Sequence, residues 1–525
     1  MDYKFKTEPL PHQREVFDLS KDMANFGLVM PQGTGKTKVT MDTMGYNYAR
    51  GRIEAAVVIV PSGLQRNWLE KELGKHWPDH LPVQTFGWES TPTTKKAKAE
   101  MEALFDPAPG ERFRLVAIHY EGTLTEPGKK FLWRLFRNFA TMVAVDESQY
   151  IKTPGAKRTR LVRNAGKAKG VVMKRFLTGT PITQGPFDIY APFAFLDPNI
   201  IGHSTFTAFK AHYGEFETKV FAGCGRYDPR TGIRHDAVVN EVVGYKNMDE
   251  LESAVGPYSY SVDKAVLNLP EKVYKTRYVK MTPKQRRVYN DLLNEGVANL
   301  GDLPPGTTPE DALWEAITQE GDKVLAENAL VLQMRLQQIV GGWYVNEQGE
   351  AVPVDTKNPR LEALLTDLEH QHEKAVIWCR FKHEADAILA ALNERAKTTG
   401  RGAVGYYGNI PEEERWPNAV AFQECDPRAF YMVATPDTAG RGLDFYKAGS
   451  SRYYSRSFNY EHRSQSEDRM HRHGFEGDSA LYVDYCVPGT IDEKITDALQ
   501  IKDNLAKSFQ WGVGLNPRTQ EGDNK

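Results

Sequence analysis

Residues 30–37 read Met30-Pro31-Gln32-Gly33-Thr34-Gly35-Lys36-Thr37. A turn built on two glycines lets backbone N–H groups point at phosphate oxygens, and a lysine at its end can neutralise the β- and γ-phosphates of a nucleotide. The hydroxyl of Thr37 can then bind Mg²⁺. The phosphate-loop pattern normally begins with glycine, and Met30 stands in that place, so the match is one residue short. The stretch predicts a site for a nucleoside triphosphate and its magnesium ion.

The residues on either side of this loop predict the local structure that such a site needs. Residues 26–30 form a short apolar run that enters the loop as a strand, and residues 39–48 can continue as a helix. A helix that starts at the loop turns its free N–H groups towards the phosphates. We therefore expect a strand–loop–helix unit of an α/β fold.

A second half-site, Asp146-Glu147-Ser148-Gln149, follows the apolar run of residues 141–145. Because that run predicts a strand, both carboxylates should emerge at its C-terminal edge. Asp146 is the candidate magnesium ligand, and Glu147 can orient and polarise the attacking water. The two half-sites together predict an NTPase.

The composition fits a multidomain globular protein. With 525 residues the chain is too long for one core, and about three domains of ordinary size are expected. No apolar run reaches ~18 residues, and the N-terminus lacks a hydrophobic signal core. We therefore expect a soluble, intracellular protein with no targeting signal and no membrane partner.

The four cysteines, Cys224, Cys379, Cys425 and Cys486, are far apart in the sequence. Without a Cys-x-x-Cys spacing they argue against a structural zinc site and for a reducing compartment. We expect them to be core residues.

Two stretches of the chain alternate short apolar runs with amphipathic segments, a rhythm typical of parallel sheets with crossover helices. The sequence predicts an ATP-binding lobe at residues 1–200 and a second α/β lobe at residues 351–505. Between them, residues 201–350 are expected to form a mainly helical accessory region, with a hairpin around residues 228–232. Residues 506–525 are expected to be a flexible tail.

A basic stripe follows the second half-site. Net charge is only −2 for the whole chain, yet between residues 152 and 175 there are nine lysines or arginines and no acidic residue. They are Lys152, Lys157, Arg158, Arg160, Arg163, Lys167, Lys169, Lys174 and Arg175. Such a stripe can contact nucleic-acid phosphates, or it can be a solvated surface without a partner.

Two arginines in the second lobe, Arg469 and Arg472, are three residues apart and share one face if their segment is helical. Guanidinium groups suit γ-phosphate oxygens, so they are candidate arginine fingers. The alternative is that both are surface ion-pair partners.

The order of these signatures resembles the two-lobed superfamily-two helicases, and in particular the Swi/Snf-like double-stranded DNA translocases. Gln13, in Leu10-Pro11-His12-Gln13-Arg14, matches the glutamine that reads adenine in that family. Residues 60–62 with Trp68, and residues 118–121, resemble the first lobe's contacts to the tracked strand. Residues 176–182 resemble the motif that couples hydrolysis to movement.

The second lobe carries the rest of the resemblance. Residues 376–381 and 406–408 are similar to strand-contact segments, and residues 435–444 to the motif that senses both ATP and nucleic acid. Three features depart from the Swi/Snf pattern: Gln149 stands where histidine is common, Asp444 replaces the usual asparagine, and residues 258–264 lack the paired arginines often found there. The resemblance covers roughly residues 8–500, in motif order.

The resemblance and the two half-sites together assign roles to named residues. Catalysis is expected from Lys36, Asp146, Glu147, Gln149, Arg469 and Arg472. Nucleotide binding is expected from Gln13, Gln32, Gly33, Thr34, Gly35, Lys36, Thr37, Gly442 and Asp444, with Thr37 and Asp146 on the metal. Nucleic-acid contacts are expected from Pro61, Ser62, His119, Tyr120, Arg158, Arg160, Arg380, Tyr407 and Thr435.

What the resemblance implies is a fold of two RecA-like α/β lobes and an ATP- and Mg²⁺-dependent motor that moves on duplex DNA. Backbone contacts would make binding largely independent of sequence. A strand-separating DNA or RNA helicase, and an ATP-gated clamp that does not translocate, are the alternatives. A compact bacterial or viral member, acting in the cytoplasm of a bacterium or a virus-infected cell, fits better than a chromatin remodeller.

Overall fold

The computed structural model describes residues 3–106, 112–179, 181–182, 185–221, 227–228, 233–234, 237–298, 309, 313, 323–439 and 443–508. Among these residues, no helix is both long enough and apolar enough to cross a lipid bilayer. The chain divides into two compact units. Lobe 1 comprises the described residues of Met1–Tyr213, Lys246–Asn268 and Asn504–Lys525, and lobe 2 those of Gly214–Tyr245 and Leu269–Asp503.

The strands are, in chain order, β1 (Asn25–Val29), β2 (Ala55–Val60), β3 (Val83–Trp88), β4 (Phe113–His119), β5 (Thr141–Val145), β6 (Val171–Thr178), β7 (Gly214–Phe221), β8 (Tyr227–Asp228), β9 (Ile233–Arg234), β10 (Ala237–Tyr245), β11 (Ser259–Ser261), β12 (Glu271–Tyr278), β13 (Trp343–Val345), β14 (Ala351–Pro353), β15 (Ala375–Trp378), β16 (Ala403–Tyr406), β17 (Tyr431–Ala434), β18 (Ser450–Tyr453) and β19 (Ser479–Cys486).

The α-helices span Pro11–Ser20, Lys36–Ala49, Leu73–His76, Lys95–Ala103, Tyr120–Leu124, Glu126–Asn138, Lys157–Ala165, Tyr190–Leu196, Phe206–Tyr213, Met248–Val255, Pro283–Ala298, Lys323–Val340, Pro359–Glu369, Lys382–Thr399, Glu412–Gln423, Pro436–Ala439, Tyr460–Met470 and Ile491–Ser508. Short 3₁₀ turns lie at Ser148–Ile151, Pro186–Ile189, Gly256–Tyr258, Lys264–Leu267 and Pro427–Ala429, and a π-helical turn at Asn67–Glu72.

Lobe 1 is built on a parallel sheet with the strand order β11-β1-β6-β5-β2-β4-β3. Alternate residues of β2 pack into two different cores: Val57 and Ile59 into one, Ala56 and Val58 into the other. Successive side chains of a strand point to opposite faces, so both faces of the sheet are covered. The apolar run of β2 therefore has no polar alternation because neither face meets water.

Lobe 2 repeats this design with the parallel order β12-β19-β18-β15-β17-β16. In β15, Ala375 and Ile377 join one core while Val376 and Trp378 join the other. The predicted class of two parallel-sheet α/β lobes is confirmed.

The region between the lobes differs from the prediction of one accessory domain at residues 201–350. Strand β11 pairs with β1 of the lobe 1 sheet, and β12 pairs along its whole length with β19 of lobe 2. These two strands, near the middle of the region, are thus edge strands of the two sheets. The predicted hairpin is present as β8 and β9, next to the longer antiparallel pair of β7 and β10. The predicted tail lies largely outside the described residues.

The cysteine prediction holds only in part. Cys379 and Cys486 are buried, but Cys425 is exposed, in a turn where its backbone has a positive φ of 60°. Cys224 lies outside the described residues.

Candidate functional site

The phosphate loop lies between β1 and the helix Lys36–Ala49. Gly33 and Gly35 have left-handed backbone conformations, with φ of 84° and 93°, which L side chains rarely adopt. A Cβ on Gly35 would also overlap the side-chain amide of Gln13. Both positions therefore require glycine, and together they turn the chain so that the helix begins at the loop.

Lys36, at the first turn of this helix, is 9% exposed. Its Nζ donates to the carbonyls of Met30, at 2.7 Å, and Pro31, at 3.2 Å. The Met30 N–H donates to Thr178 O at 3.0 Å, which ties the start of the loop to the end of β6. The ammonium is thus held inside the loop, where a nucleotide phosphate would be a stronger partner than the neutral carbonyls.

The first turn of the helix Pro11–Ser20 contacts the phosphate loop. His12 Nε2 and Gln13 Nε2 both contact the carbonyl oxygen of Thr34, at 2.8 and 3.0 Å, and Gln13 Oε1 accepts from the Leu10 N–H. Both side chains are buried. The role of Gln13 as an adenine reader stays a prediction, because its amide is engaged with backbone here. The sequence pattern did not identify His12, whose only signal is its place beside Gln13.

Asp146 follows β5 and is held by neutral donors. Trp68 Nε1 donates to its Oδ2 at 2.9 Å, and the Glu147 N–H donates to its Oδ1 at 3.0 Å. Burial, and then the charge of Glu147, raise the pKa of Asp146 to about 6. A cation would offset both effects.

The donor set fits Mg²⁺, which prefers hard oxygen ligands. The Asp146 carboxylate and the Thr37 hydroxyl supply such oxygens, and Lys36 lowers the pKa of Asp146 through its charge. Asp146 and Thr37 could therefore hold the ion.

A chain of hydrogen bonds leads from Glu147 to β6. Gln149 Nε2 donates to Glu147 Oε2 at 2.8 Å, and Thr178 Oγ1 donates to Gln149 Oε1 at 3.0 Å. Glu147 itself has a positive φ of 50°, an uncommon conformation for this residue type that functional sites often contain. The amide of Gln149 can donate and accept at once, so it joins a carboxylate to a hydroxyl without a charge of its own.

The predicted strand contacts of lobe 1 need correction at two residues. Tyr120 is fully buried, and its hydroxyl donates to Asp146 O at 2.6 Å. Trp68 is 1% exposed. Neither side chain is accessible to a nucleic acid, and both instead hold Asp146.

The other predicted contacts of lobe 1 lie nearer the surface. Ser62 is exposed, although Pro61 beside it is buried. His119 is half-buried, and its Nδ1 accepts from the Gly122 N–H at 3.0 Å, which caps the following helix. Their roles in nucleic-acid binding stay predictions.

The basic stripe is not one surface. Arg175 is 1% exposed and donates to the backbone carbonyls of Ser20, Met23, Ala24 and Lys174. Burial lowers the pKa of Arg175 to about 9. This arginine secures the end of the helix Pro11–Ser20 and is removed from the predicted stripe.

The remaining cations are divided between exposed and paired positions. Arg160 is exposed on the helix Lys157–Ala165, whereas Arg158 lies 4.0 Å from Glu121 and Lys152 lies 3.9 Å from Asp188. Arg158 and Arg160 stay predicted phosphate contacts.

Lobe 2 contains a basic pocket of ≈ 230 Å³ at the carboxyl ends of β15 and β18. Its lining includes Arg380, Arg456 and His462, and also the acidic Asp437, which lies 3.3 Å from His462. Within the described part of the chain, the buried Nη1 of Arg380 has no hydrogen-bond partner. Burial lowers the pKa of this guanidinium. A bound anion would compensate for both.

Two other predicted contacts of lobe 2 are buried. Tyr407 is 1% exposed and its hydroxyl donates to Asp386 at 2.7 Å, so this side chain packs in the core and is not accessible to a nucleic acid. Thr435 is 4% exposed, and its hydroxyl bonds that of Thr438 at 3.2 Å. Thr435 directly precedes a short helix, and its side chain does not face solvent.

The predicted arginine fingers are both engaged within lobe 2. Arg469 Nη1 donates to Leu443 O at 3.2 Å, and Arg472 forms an ion pair with Asp444. Both Arg472 and Asp444 are about three-quarters buried, at 24% and 25% side-chain exposure. Action on the γ-phosphate stays a prediction for both arginines. Gly442 lies outside the described residues.

Comparison with known proteins gives a consistent result. The family model of the SNF2-related domain matches residues 22–342, and that of the helicase conserved C-terminal domain matches residues 356–474. The DNA annealing helicase and endonuclease ZRANB3 of Bos taurus is 23% identical over 525 residues, which are 99% of this chain and 42% of ZRANB3. The ISWI chromatin-remodeling complex ATPase ISW2 of Saccharomyces cerevisiae is 21% identical over 92% of this chain and 39% of ISW2.

Among solved structures, the Sulfolobus solfataricus SWI2/SNF2 ATPase core in complex with dsDNA is 21% identical and covers 99% of this chain and 97% of that chain. Its TM-score of 0.39 is too low for the superposition to support an argument. The chain spans about two fifths of the length of the curated relatives named above. The first family model covers more than half of the chain, and the chain therefore belongs to the family of the SNF2-related domain.

Proposed function

We propose that this protein is a DNA-stimulated ATPase that moves on duplex DNA. The observation that carries the proposal is the hydrogen-bond chain from Glu147 through Gln149 to Thr178. It joins the residue best placed to orient the attacking water to the end of β6, where the predicted coupling motif begins. A rearrangement of that motif would therefore move Glu147.

The residues of lobe 1 supply the parts that phosphoryl transfer needs. Lys36 and the N–H groups of the loop can bind the β- and γ-phosphates, and Glu147 can hold the water in line. Asp146 and Thr37 would hold Mg²⁺, which when bound neutralises charge on the phosphate oxygens. Trp68 and Tyr120 keep Asp146 in place.

The pocket around Arg380 supports a backbone-binding role for lobe 2. A buried guanidinium nitrogen without a partner among the described residues favours an anion, and phosphate suits the planar fork of arginine. Contacts to phosphates carry no sequence information, so binding would be largely independent of sequence. The relatives are named as proteins that act on DNA or chromatin, which favours DNA as the track.

A strand-separating helicase is the second candidate, and Asp444 favours it. The Swi/Snf pattern has asparagine at this position, and aspartate is more like strand-separating relatives. Asp444 also pairs with Arg472, a predicted arginine finger. RNA is a candidate substrate under this reading.

The test is to measure ATP turnover with duplex DNA, single-stranded DNA and RNA, followed by triplex displacement and duplex unwinding assays. A duplex translocase is stimulated most by duplex DNA and displaces the third strand without separating the other two. Unwinding with single-strand or RNA stimulation would support the helicase instead. Stimulated turnover without displacement or unwinding would indicate a clamp.

Two variants control for contaminating activity. Lys36→Ala and Glu147→Gln remove phosphate neutralisation and water activation, and each should lower turnover by at least ~10²-fold. Near-normal hydrolysis by either folded variant would contradict the assignment of the site.

A further inference from the structure

Trp68 lies in the π-helical turn Asn67–Glu72, beside the metal-binding carboxylate. The Leu73 N–H bonds the Trp68 carbonyl five residues earlier in the chain, which is the π-type connection. Such turns are rare, occur mostly as single turns, and are frequent at functional sites. The turn here places a fully buried indole with its N–H on Asp146 Oδ2, at 2.9 Å.

We propose that Trp68 is a positioning residue for magnesium, which fixes the Asp146 carboxylate in the orientation that binds the ion. The proposal rests on the function proposed above. It assigns to Trp68 a role in metal binding in place of the nucleic-acid contact that the sequence pattern suggests.

The geometry explains why the indole suits this task. Each oxygen of Asp146 accepts one hydrogen bond, Oδ2 from Trp68 and Oδ1 from the Glu147 N–H, so the carboxylate plane is fixed. Both donors are neutral and leave the negative charge available to a cation. Each oxygen also keeps a second lone pair. Hydrogen-bond partners of metal ligands typically contribute ~10- to 100-fold to metal affinity.

Trp77 provides a matched control in the same lobe. It is 4% exposed, and its Nε1 donates to the Leu81 carbonyl at 2.8 Å. Its ring stacks on Phe113, with centroids 4.8 Å apart. Trp68→Phe and Trp77→Phe therefore each remove one hydrogen bond of a buried indole, but only the first touches the metal site.

The experiment is to measure the affinity of a fluorescent ADP analogue for the full chain, with Mg²⁺ and with EDTA. The unmodified protein and Trp77→Phe should gain affinity from Mg²⁺ to the same extent. Trp68→Phe should need about 10-fold more Mg²⁺ for that gain, with an unchanged affinity in EDTA.

Three outcomes would count against these ideas, and they are distinguishable. Equal Mg²⁺ dependence in Trp68→Phe and the unmodified protein would overturn the proposal alone. Equal loss of affinity with and without Mg²⁺ would overturn it as well, since packing and not the N–H would then matter. No nucleotide binding by the unmodified protein would overturn the proposed function itself.

A second measurement applies if Trp68→Phe does not fold. With ¹⁵N-labelled tryptophan, Mn²⁺–ADP should broaden one indole N–H resonance of the unmodified protein before the others. The same resonance should survive in Asp146→Asn. Uniform survival of all indole resonances in the unmodified protein would overturn the proposal.

Discussion

Two buried carboxylates have opposite kinds of partner. Asp146 in lobe 1 contacts neutral groups, whereas Glu467, in the helix Tyr460–Met470 of lobe 2, contacts cations. Asp146 is held by the neutral donors Trp68 and the Glu147 N–H, and its pKa is raised to about 6. In the lobe 2 helix, Glu467 contacts Lys272 at 2.8 Å and Arg463 at 2.6 Å. Burial alone would raise the pKa of Glu467, but Lys272 and Arg463 lower it to about 2.

The contrast separates charges that serve the fold from charges that serve a ligand. A paired buried carboxylate stabilises the folded state as long as its partners remain, whereas an unpaired one costs stability until a cation arrives. Asp146 fits the second description and Glu467 the first. The same distinction can be tested on the predicted finger Arg472, which is paired with Asp444.

The first prediction has the largest expected effect and concerns Arg472. This arginine lies in lobe 2, and the sequence predicts that it takes part in catalysis. If it acts on charge that develops on the transferred phosphoryl group, Arg472→Ala should retain ATP binding and lose ~10³-fold in turnover. Lysine should not rescue fully, since it lacks the planar fork. Binding is measured with a fluorescent nucleotide, and turnover with saturating duplex DNA.

Asp444→Asn is the matched control for Arg472→Ala. It also removes the ion pair but keeps the guanidinium, so a 10³-fold loss should not occur. Equal losses in the two variants, or equal losses of binding and turnover in Arg472→Ala, would place this arginine with the structural charges.

The second prediction compares stability between the lobes. Glu467→Gln removes the closer carboxylate of Lys272 and leaves it only Asp468, at 3.9 Å, so we expect a loss of about 3 kcal/mol in the free energy of unfolding. Because the folded pKa of Glu467 is lowered, its contribution is present above its unfolded pKa and disappears as the pH falls towards 2. Urea unfolding at pH 7 measures the effect.

Asp146→Asn should behave in the opposite way. Burial raises the pKa of Asp146, so its ionised form costs stability at pH 7, and neutralisation should leave the midpoint of unfolding unchanged or higher. If Asp146→Asn lost as much free energy of unfolding as Glu467→Gln, the two carboxylates would not differ in how they affect stability.

The third prediction concerns the hydrogen-bond chain of lobe 1 that runs from Glu147 through Gln149 to Thr178. Gln149→Ala removes both of its links, and because linked contacts do not add, we expect a loss of about 1.4 kcal/mol in all, a ~10-fold fall in DNA-stimulated turnover. Thr178→Val removes one link from the other side. If the chain acts as a unit, the double variant should be no worse than Gln149→Ala. Additive losses would show that the two residues act separately.

The sequence predicted the strands that carry the site with close bounds. The apolar runs at residues 26–30 and 141–145 match β1 and β5 to within one residue, because both faces of a parallel sheet are buried and the runs have no other place to pack. The residue types of the phosphate loop and of Asp146 and Glu147 follow from the chemistry of phosphate and magnesium. These parts of the site needed no knowledge of distant contacts.

Other features could not be predicted, because they depend on contacts between distant segments. Strand β12 is mostly exposed and has no apolar alternation, so only its pairing with β19 identifies it as part of lobe 2. Trp68 and Tyr407 lie in segments that resemble strand contacts, yet their side chains are buried. A motif identifies the segment near a ligand, whereas burial decides which atoms reach it.

The fourth prediction has the smallest effect. It tests whether a second titratable group of lobe 1, the imidazole of His76, is also buried without a partner of opposite charge. His76 is 6% exposed, with Nδ1 2.7 Å from the Thr7 hydroxyl and Nε2 3.5 Å from Glu72. Burial, followed by the charges of Lys38 and Lys75, lowers its pKa to about 4.

Since the unfolded chain takes up a proton near pH 6.5 and the folded protein does not, His76 costs stability progressively as the pH falls from 6.5 towards 4. His76→Gln should therefore gain about 1 kcal/mol relative to the unmodified protein between pH 7 and pH 5.5. The comparison with the unmodified protein is needed because Asp42, whose pKa burial raises to about 6, works in the opposite direction in both proteins. His80→Gln, at an exposed position four residues away, is the control and should show no such gain. A pH-independent difference would contradict the prediction, because His76 would then take up its proton equally in the folded and unfolded states. A relative loss of stability for His76→Gln as the pH falls would mean that the folded state holds the imidazole protonated, with Glu72 as its partner, and that burial in this part of lobe 1 is compensated as it is in lobe 2.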